Sequence, residues 1–366
     1  MQTWMLAALA CTCVMVLTVT LSIFVGVAAG ESRRRRGFFV VTLILLGWVA
    51  GLATVAVAAS TGTPLLTAGL ASPLIALSAL GVTILSTPLR RLGFSPVVVL
   101  MFSGAAAILI VAPVHWAIFS VAGPLQATFR TLDLAGAVAA LFAPSVAALT
   151  VLSIEHFARS RSPGVLGGEA PLRRSRPRST FVFALAATVS WVVWIGWMLG
   201  MELALNDVSG RIIVNGIVAP LASVAAWLLV QRIRHAATTR TAAIMGMIAG
   251  LAAITPACGY VDTVGAVTIG VLAGAVGSLV AHALASQHAG AASLIPTSLC
   301  LGASVGVVSI GIFSTRVGIA YTGQPELLFS QVLSLATTAG YTIVVAAVLW
   351  LAVRRLSRKP APTVVA

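Results

Sequence analysis

Long apolar runs broken by short polar stretches dominate the chain, beginning with MLAALACTCVMVLTVTLSIFVGVAAG, then ESRRRRG, then a second apolar run. Uncharged apolar segments of about 18 residues or more read as bilayer spans, because a helix needs about 20 residues to cross the hydrocarbon layer. The pattern predicts eleven such helices, at about 3–29, 37–59, 66–87, 94–119, 133–153, 181–204, 209–230, 241–257, 263–285, 292–314 and 329–353. The expected fold class is an all-α polytopic membrane protein.

Composition supports that class. Of 366 residues, 59% are hydrophobic and only 8% charged, with a mean hydropathy of +1.07. A soluble domain carries roughly 25% charged residues, so this chain cannot cover a water-facing surface. Soluble enzymes, disordered tails and secreted disulfide scaffolds are excluded.

The net charge of +14 is a topology signal rather than a nucleic-acid signal. Arg33–Arg36, Arg90, Arg91, the six arginines of 159–178, Arg232, Arg234, Arg240, and Arg354, Arg355, Arg358 and Lys359 all follow odd-numbered spans. Nineteen basic and three acidic residues fall on that side, and three basic and five acidic on the other, giving +16 and −2. The positive-inside rule then places the amino terminus outside and the carboxyl terminus in the cytoplasm. Attraction to anionic head groups accounts for the rest of the basic excess, so the bilayer is the expected partner and nucleic acid is not. The first span is not read as a cleaved signal peptide, since Arg33–Arg36 follow it and no basic residue precedes it.

Residues 154–180, with six arginines and Pro163, Pro171 and Pro177, read as a basic cytoplasmic linker. The linker divides a first five-helix unit (1–153) from a second (181–314), and 315–366 supply an eleventh helix and a short basic tail. Because five is odd, the second unit is inverted relative to the first, which places any pore at the interface of the two repeats. Gly246 and Gly250, Gly270 and Gly274, and Gly302 and Gly306 each stand four apart, the spacing that lets helices in lipid approach closely. Cys11, Cys13, Cys258 and Cys300 have no disulfide or metal spacing. The five histidines, of which only His115 falls near the outer face, form no pair at helical spacing. The sole lysine, Lys359, excludes a phosphate loop of the G-x-x-x-x-G-K form. No cofactor, metal or catalytic constellation is expected.

The segment IMGMIAGLAAITPACGYVDTVGAVTIGVLAGAVG (244–277) resembles the most recognisable stretch of the ammonium transporter/Rh family, with Thr255, Pro256, Gly259 and Tyr260 at its centre. FVGVAAGESRRRRG (24–37), RRLGFSP (90–96), APVHWAIF (112–119), TLDLAG (131–136), IGWMLG (195–200) and SVGVVSIGIFS (304–314) resemble other family segments in the same order. The resemblance implies an eleven-span, amino-terminus-out fold with an inverted repeat, assembled as a homotrimer with one pore per subunit.

The resemblance also implies where chemistry should lie. The family's two pore histidines fall at Leu141 and Leu299, its gating phenylalanines at Ala76 and Gly200, and its outer-site hydroxyl at Ala204. Its outer tryptophan falls near Ile118, with His115 and Trp116 close by, and its outer carboxylate is kept as Asp133. Asp133 also reads as a helix N-cap. Pro144 and Pro296 interrupt the spans that carry Leu141 and Leu299, and such breaks in corresponding spans mark transporter binding regions.

A cation is drawn to an outer site by aromatic faces worth about 0.5–2 kcal/mol, and at mid-membrane it costs at least about 2.5 kcal/mol without polar help. Leucines give no such help and form a constriction of the kind that closes by dewetting. The sequence therefore predicts a channel in the plasma membrane with a histidine-less, hydrophobic pore that passes a small neutral solute. The alternatives are a non-conducting scaffold acting as a sensor or binding a protein partner, and an ammonium transporter using another polar path through His115, Thr297 or Ser298.

Overall fold

The computed structural model describes residues 2–62, 65–161, 180–234, 240–285 and 290–357. Helices fill it: α1 (Gln2–Ala28), α2 (Arg33–Ser60), α3 (Ala71–Arg91), α4 (Pro96–Ala106), α5 (Ala112–Phe119), α6 (Pro124–Phe129) and α7 (Ala143–Arg161). Then come α8 (Thr180–Met201), α9 (Asp207–Ile233), α10 (Arg240–Ala257), α11 (Thr263–Ala285), α12 (Gly290–Phe313), α13 (Ile319–Thr322) and α14 (Glu326–Ser357). Among the described residues no named strand forms, and nine segments are long and apolar enough to cross a bilayer. Two shorter apolar helices, Leu185–Met201 and Thr241–Ala257, lie where the sixth and eighth spans are predicted.

Two spans carry a π-helical turn, Ala107–Val111 between α4 and α5 and Val138–Phe142 leading into α7. Each is followed two residues later by a proline, Pro113 or Pro144. A proline ring has no N–H to give and pushes on the carbonyl four residues back; a widened turn relieves both problems. The carbonyl displaced by Pro113 is that of Leu109, and the Tyr341 hydroxyl donates to it at 2.6 Å.

The glycine pairs are contact points. α10 packs between α9 and α12, and α11 packs on α9. A side chain at Gly250 would meet Ser223 Cβ at 2.6 Å and Pro220 Cα at 2.7 Å. Gly270 and Gly274 face the carbonyls of Ala219 and Ser223, and Gly302 and Gly306 face those of Ala249 and Ala253. Ser223 Oγ donates to Gly246 O at 2.6 Å in the same seam. Backbones this close maximise dispersion contact, which replaces the missing hydrophobic drive in lipid.

Several boundaries differ from the predicted ones, and two of them have a visible cause. α7 runs on to Arg161, past the expected linker start at 154, and the rest of the linker lies outside the described residues. Glu155 explains the extension: it accepts from the Trp350 indole at 2.8 Å and pairs with Arg354 at 3.1 Å, tying the end of α7 to α14. Trp350 itself packs edge-on against Phe94 and Phe102, with ring centroids 5.2 and 5.5 Å away. Likewise α3 runs to Arg91 rather than 87, because Arg90 is buried against the end of α1.

Candidate functional site

Leu141 and Leu299 line one cavity of about 140 Å³. Leu141 reaches it from the π-helical turn before α7 and Leu299 from α12. The other walls come from Leu17, Thr20, Leu21 and Phe24 of α1, Leu80 and Ile84 of α3, a face of α8, and Ile244 to Leu251 of α10. These are the first, third and fifth spans together with the sixth, eighth and tenth, three from either side of the linker.

The wall is almost wholly apolar. Thr20, Ser190 and the Trp194 ring are its polar-bearing members, and none of its seventeen residues is charged or a histidine. The Trp194 N–H is already given to Thr255 Oγ1 at 2.9 Å. Water inside an apolar cavity needs two to four polar partners, and this lining offers few of them. An ion entering such a lining would lose its hydration with little in return. Phe24 and Ala186, at the rim, are exposed on the side of the molecule that carries Arg33–Arg36.

Outside the cavity lining, α1 and α8 cross closely. Gly196 of α8 lies against Cys13, whose sulfur stands 2.7 Å from where a Cβ would be, and Gly200 lies against Leu6 O and Ala10 N, each 2.6 Å away. Gly200, one of the expected gate positions, is thus filled by the backbone of α1. Ala76, the other, is buried within α3, and Ala204 lies past the end of α8, where its carbonyl receives the Ser209 hydroxyl at 3.4 Å. None of the three lines the cavity.

The outer-site candidates are held by α5 and the turn after α6. His115 is fully buried; its Nδ1 lies 2.9 Å from Val111 O, its Nε2 has no protein partner, and its ring stacks on Phe119 at 6.3 Å. Ile118 is buried and Trp116 half-buried. Asp133 accepts from the N–H groups of Ala137 and Val138, at 2.7 Å each. Both oxygens cap the incoming helix, satisfying donors that have no intrahelical partner. His115, Thr297 and Ser298 are not among the residues that line the apolar cavity.

The recognisable motif around Thr255 is a structural knot. Thr255 is buried and donates to Leu251 O, while Pro256 O accepts from Leu134 N at 3.2 Å. Asn215 Nδ2 donates to both Cys258 O and Val261 O at 2.9 Å. Gly259 packs against Leu134 and receives Arg211 on its carbonyl at 3.3 Å. Tyr260 O receives the N–H of Thr315 at 3.0 Å. α10 thus ends by binding α9, the start of the fifth span and the end of the tenth. Irregular backbone at this depth needs every polar group satisfied from within.

Sequence reasoning missed two features. Arg90 and Glu31, counted as charges at helix ends, form a buried ion pair roofed by Phe39, whose ring centroid lies 4.7 Å from the guanidinium. Gly196 and Gly200 form a fourth small pair, and their four-residue spacing within IGWMLG was the available signal.

The described residues form a helical bundle of apolar spans around an apolar cavity, the architecture of a polytopic membrane protein. The chain belongs to the ammonium transporter family: the profile of the Ammonium Transporter Family matches residues 74–358. It is 30% identical to an ammonium transporter of Bacillus subtilis over 255 residues, which are 67% of this chain and 59% of that protein. It is 32% identical to ammonium transporter Amt1 of Archaeoglobus fulgidus over 181 residues, 47% of this chain and 45% of that one. The matched part therefore spans about half the length of these relatives. In structure it resembles Saccharomyces cerevisiae Mep2, with a TM-score of 0.76 at 16% identity over 97% of this chain and 88% of that one. A solved "Sensor Amt Protein" gives a TM-score of 0.76 at 16% identity, over 96% and 94%. Likeness at these identities speaks for the fold alone.

Proposed function

We propose that this protein is a plasma-membrane channel of the ammonium transporter family that passes a small neutral solute, such as ammonia or a gas, through a hydrophobic, histidine-less pore. The observation that carries the reading is that Leu141 and Leu299 line one apolar cavity with no titratable side chain among its described lining residues. Transport by way of twin imidazoles has no counterpart there. We assign eleven spans, amino terminus out, with an inverted repeat about the cavity and a homotrimeric assembly. Three spans from each half lining one space support that symmetry.

A second reading is a non-conducting scaffold that senses a solute or binds a protein partner. The backbone-on-backbone packing at Gly200 favours it, because opening there requires two helices to separate. Stopped-flow flux into liposomes distinguishes the two. The channel reading expects ammonia, methylamine or carbon dioxide to enter faster than into protein-free vesicles. Equal rates for all three sink it and leave the scaffold.

A further inference from the structure

The apolar cavity has a deep end and a rim, and different surroundings meet each. At the deep end Leu80, Ile84, Leu141, Leu251 and Leu299 are at most 4% exposed. At the rim Phe24 is 38% exposed and Ala186 exposed, with Ala187 and Ile244 half-buried. The cause lies in α8. None of its residues from Leu185 to Val193 is buried, whereas Trp194, Trp197, Met198 and Gly200 in its second half are. This helix leans on α1 and barely touches α10. Ala186 and Ala187 of α8 nevertheless line the same cavity as Ile244 and Met247 of α10, so a slot separates the two helices there.

The slot lies within the spans rather than at their ends. Ala186 stands six residues into α8, Ile244 four into α10, and Phe24 four before the end of α1. At 1.5 Å per residue these positions are about 6–9 Å inside the helix ends. Leu185, Val189 and Val192 on the other flank of α8 are exposed, as are Ile23 and Val27 beside Phe24. At that depth the medium against such apolar flanks is hydrocarbon. A void in an apolar wall forfeits dispersion contacts on its unfilled side, and this lining has little to offer water. The matter that both fits the wall and lies against the slot is the acyl region of the bilayer.

We propose that the cavity takes the end of a lipid acyl chain, which enters from the bilayer through the slot between α8 and α10 and lies against Leu141, Leu299 and the Trp194 ring. Such occupancy goes beyond the channel reading and does not require conduction. In a conducting protein the chain would stand in the path of a solute, so lipid would act as an inhibitor of flux.

Tryptophan fluorescence tests the site, because bromine on an acyl chain quenches a ring that it touches. Trp194 lines the cavity and is 8% exposed. The full chain is placed in nanodiscs of phosphatidylcholine with plain or dibrominated acyl chains. The Trp194 signal is the difference between wild type and Trp194→Phe, and it should be largely lost in the brominated discs. Trp350, wholly buried against Phe94 and Phe102, gives a packed reference through Trp350→Phe, and its signal should persist. Ala187→Phe and Ser190→Phe each fill the rim, and either one should restore the Trp194 signal. Equal quenching of Trp194 and Trp350, or Trp194 quenching that is unchanged in the rim variants that fold, overturns the proposal. Solute flux into liposomes is read separately, so a failure of the channel reading and a failure of lipid entry are distinguishable.

Discussion

Arg90 of α3 clasps Glu31 with two parallel hydrogen bonds, Nε to Oε1 at 3.1 Å and NH2 to Oε2 at 2.8 Å, both groups being nearly inaccessible to solvent. The same guanidinium donates to the hydroxyl and the carbonyl of Ser22, each at 2.9 Å, so α1, the turn after it and α3 meet at one charge. Arg36 completes the knot by donating to Glu31 O at 2.7 Å. Removing one partner leaves the other buried and unpaired, at a cost of about 3–5 kcal/mol. Glu31→Gln and Arg90→Met should each lower the unfolding midpoint sharply in nanodiscs. The double variant Glu31→Gln/Arg90→Met should recover much of the loss, and additive losses would show that the two charges are not coupled.

Gly274 and Gly306 face backbone carbonyls of the neighbouring helix, whereas nothing stands within 4 Å of a side chain at Gly340. Gly274→Leu and Gly306→Leu should therefore fail to give monodisperse protein on gel filtration. Gly340→Ala, in the open interior of α14, should be neutral or stabilising by up to about 1 kcal/mol.

Leu141 and Leu299 both contribute to the apolar wall of the cavity. The double variant Leu141→His/Leu299→His adds two imidazoles that hydrogen-bond to each other, to water or to a polar solute. Methylamine flux into liposomes should rise above that of the parent protein. An unchanged flux with intact folding would mean that the crossing at Gly200, not the leucines, limits passage.

The Trp194 indole and Thr255 Oγ1 form a buried hydrogen bond beside the cavity. Thr255→Val strands the indole N–H and should cost about 1–3 kcal/mol. Trp194→Phe in the same background should cost less than Trp194→Phe alone, which a double-mutant cycle by thermal unfolding will measure.

Asp262, at the start of α11, accepts from the Gly265 N–H and the Tyr321 hydroxyl at 2.8 Å each. These bonds hold its carboxyl below the ordinary carboxylate value, and the same contact raises Tyr321. A lowered folded value means that the stabilisation is complete above the unfolded value of about 3.9 and is lost as pH falls through the folded one. The stability gap between wild type and Asp262→Asn should stay constant above about pH 5 and shrink below pH 4. A gap that widens on acidification would contradict the assigned contact.

The bundle was legible in the sequence because burial in lipid acts on each helix separately. Every helix must satisfy its own backbone and present an apolar surface, so the spans appear as local runs. The motif at 249–261 was legible for a related reason: its small residues and Pro256 meet a local demand for close packing and bonded turns. The site was less legible. Leu141 and Leu299 were placed by counting from the family-like segments, and nothing local shows that residues 158 apart line the same space. The π-helical turns were equally hidden, since a proline marks a break without saying which carbonyl finds a new partner.

By itself, the sequence determined an all-helical membrane protein, the segments that make it, and the absence of imidazole at Leu141 and Leu299. Only the tertiary structure decided that those leucines share an apolar cavity, that Gly200 packs on the backbone of α1, and that Arg90 turns inward to Glu31. The reason is physical. Hydropathy is a property of each segment against its solvent, whereas a cavity, a crossing and a buried ion pair exist only between segments.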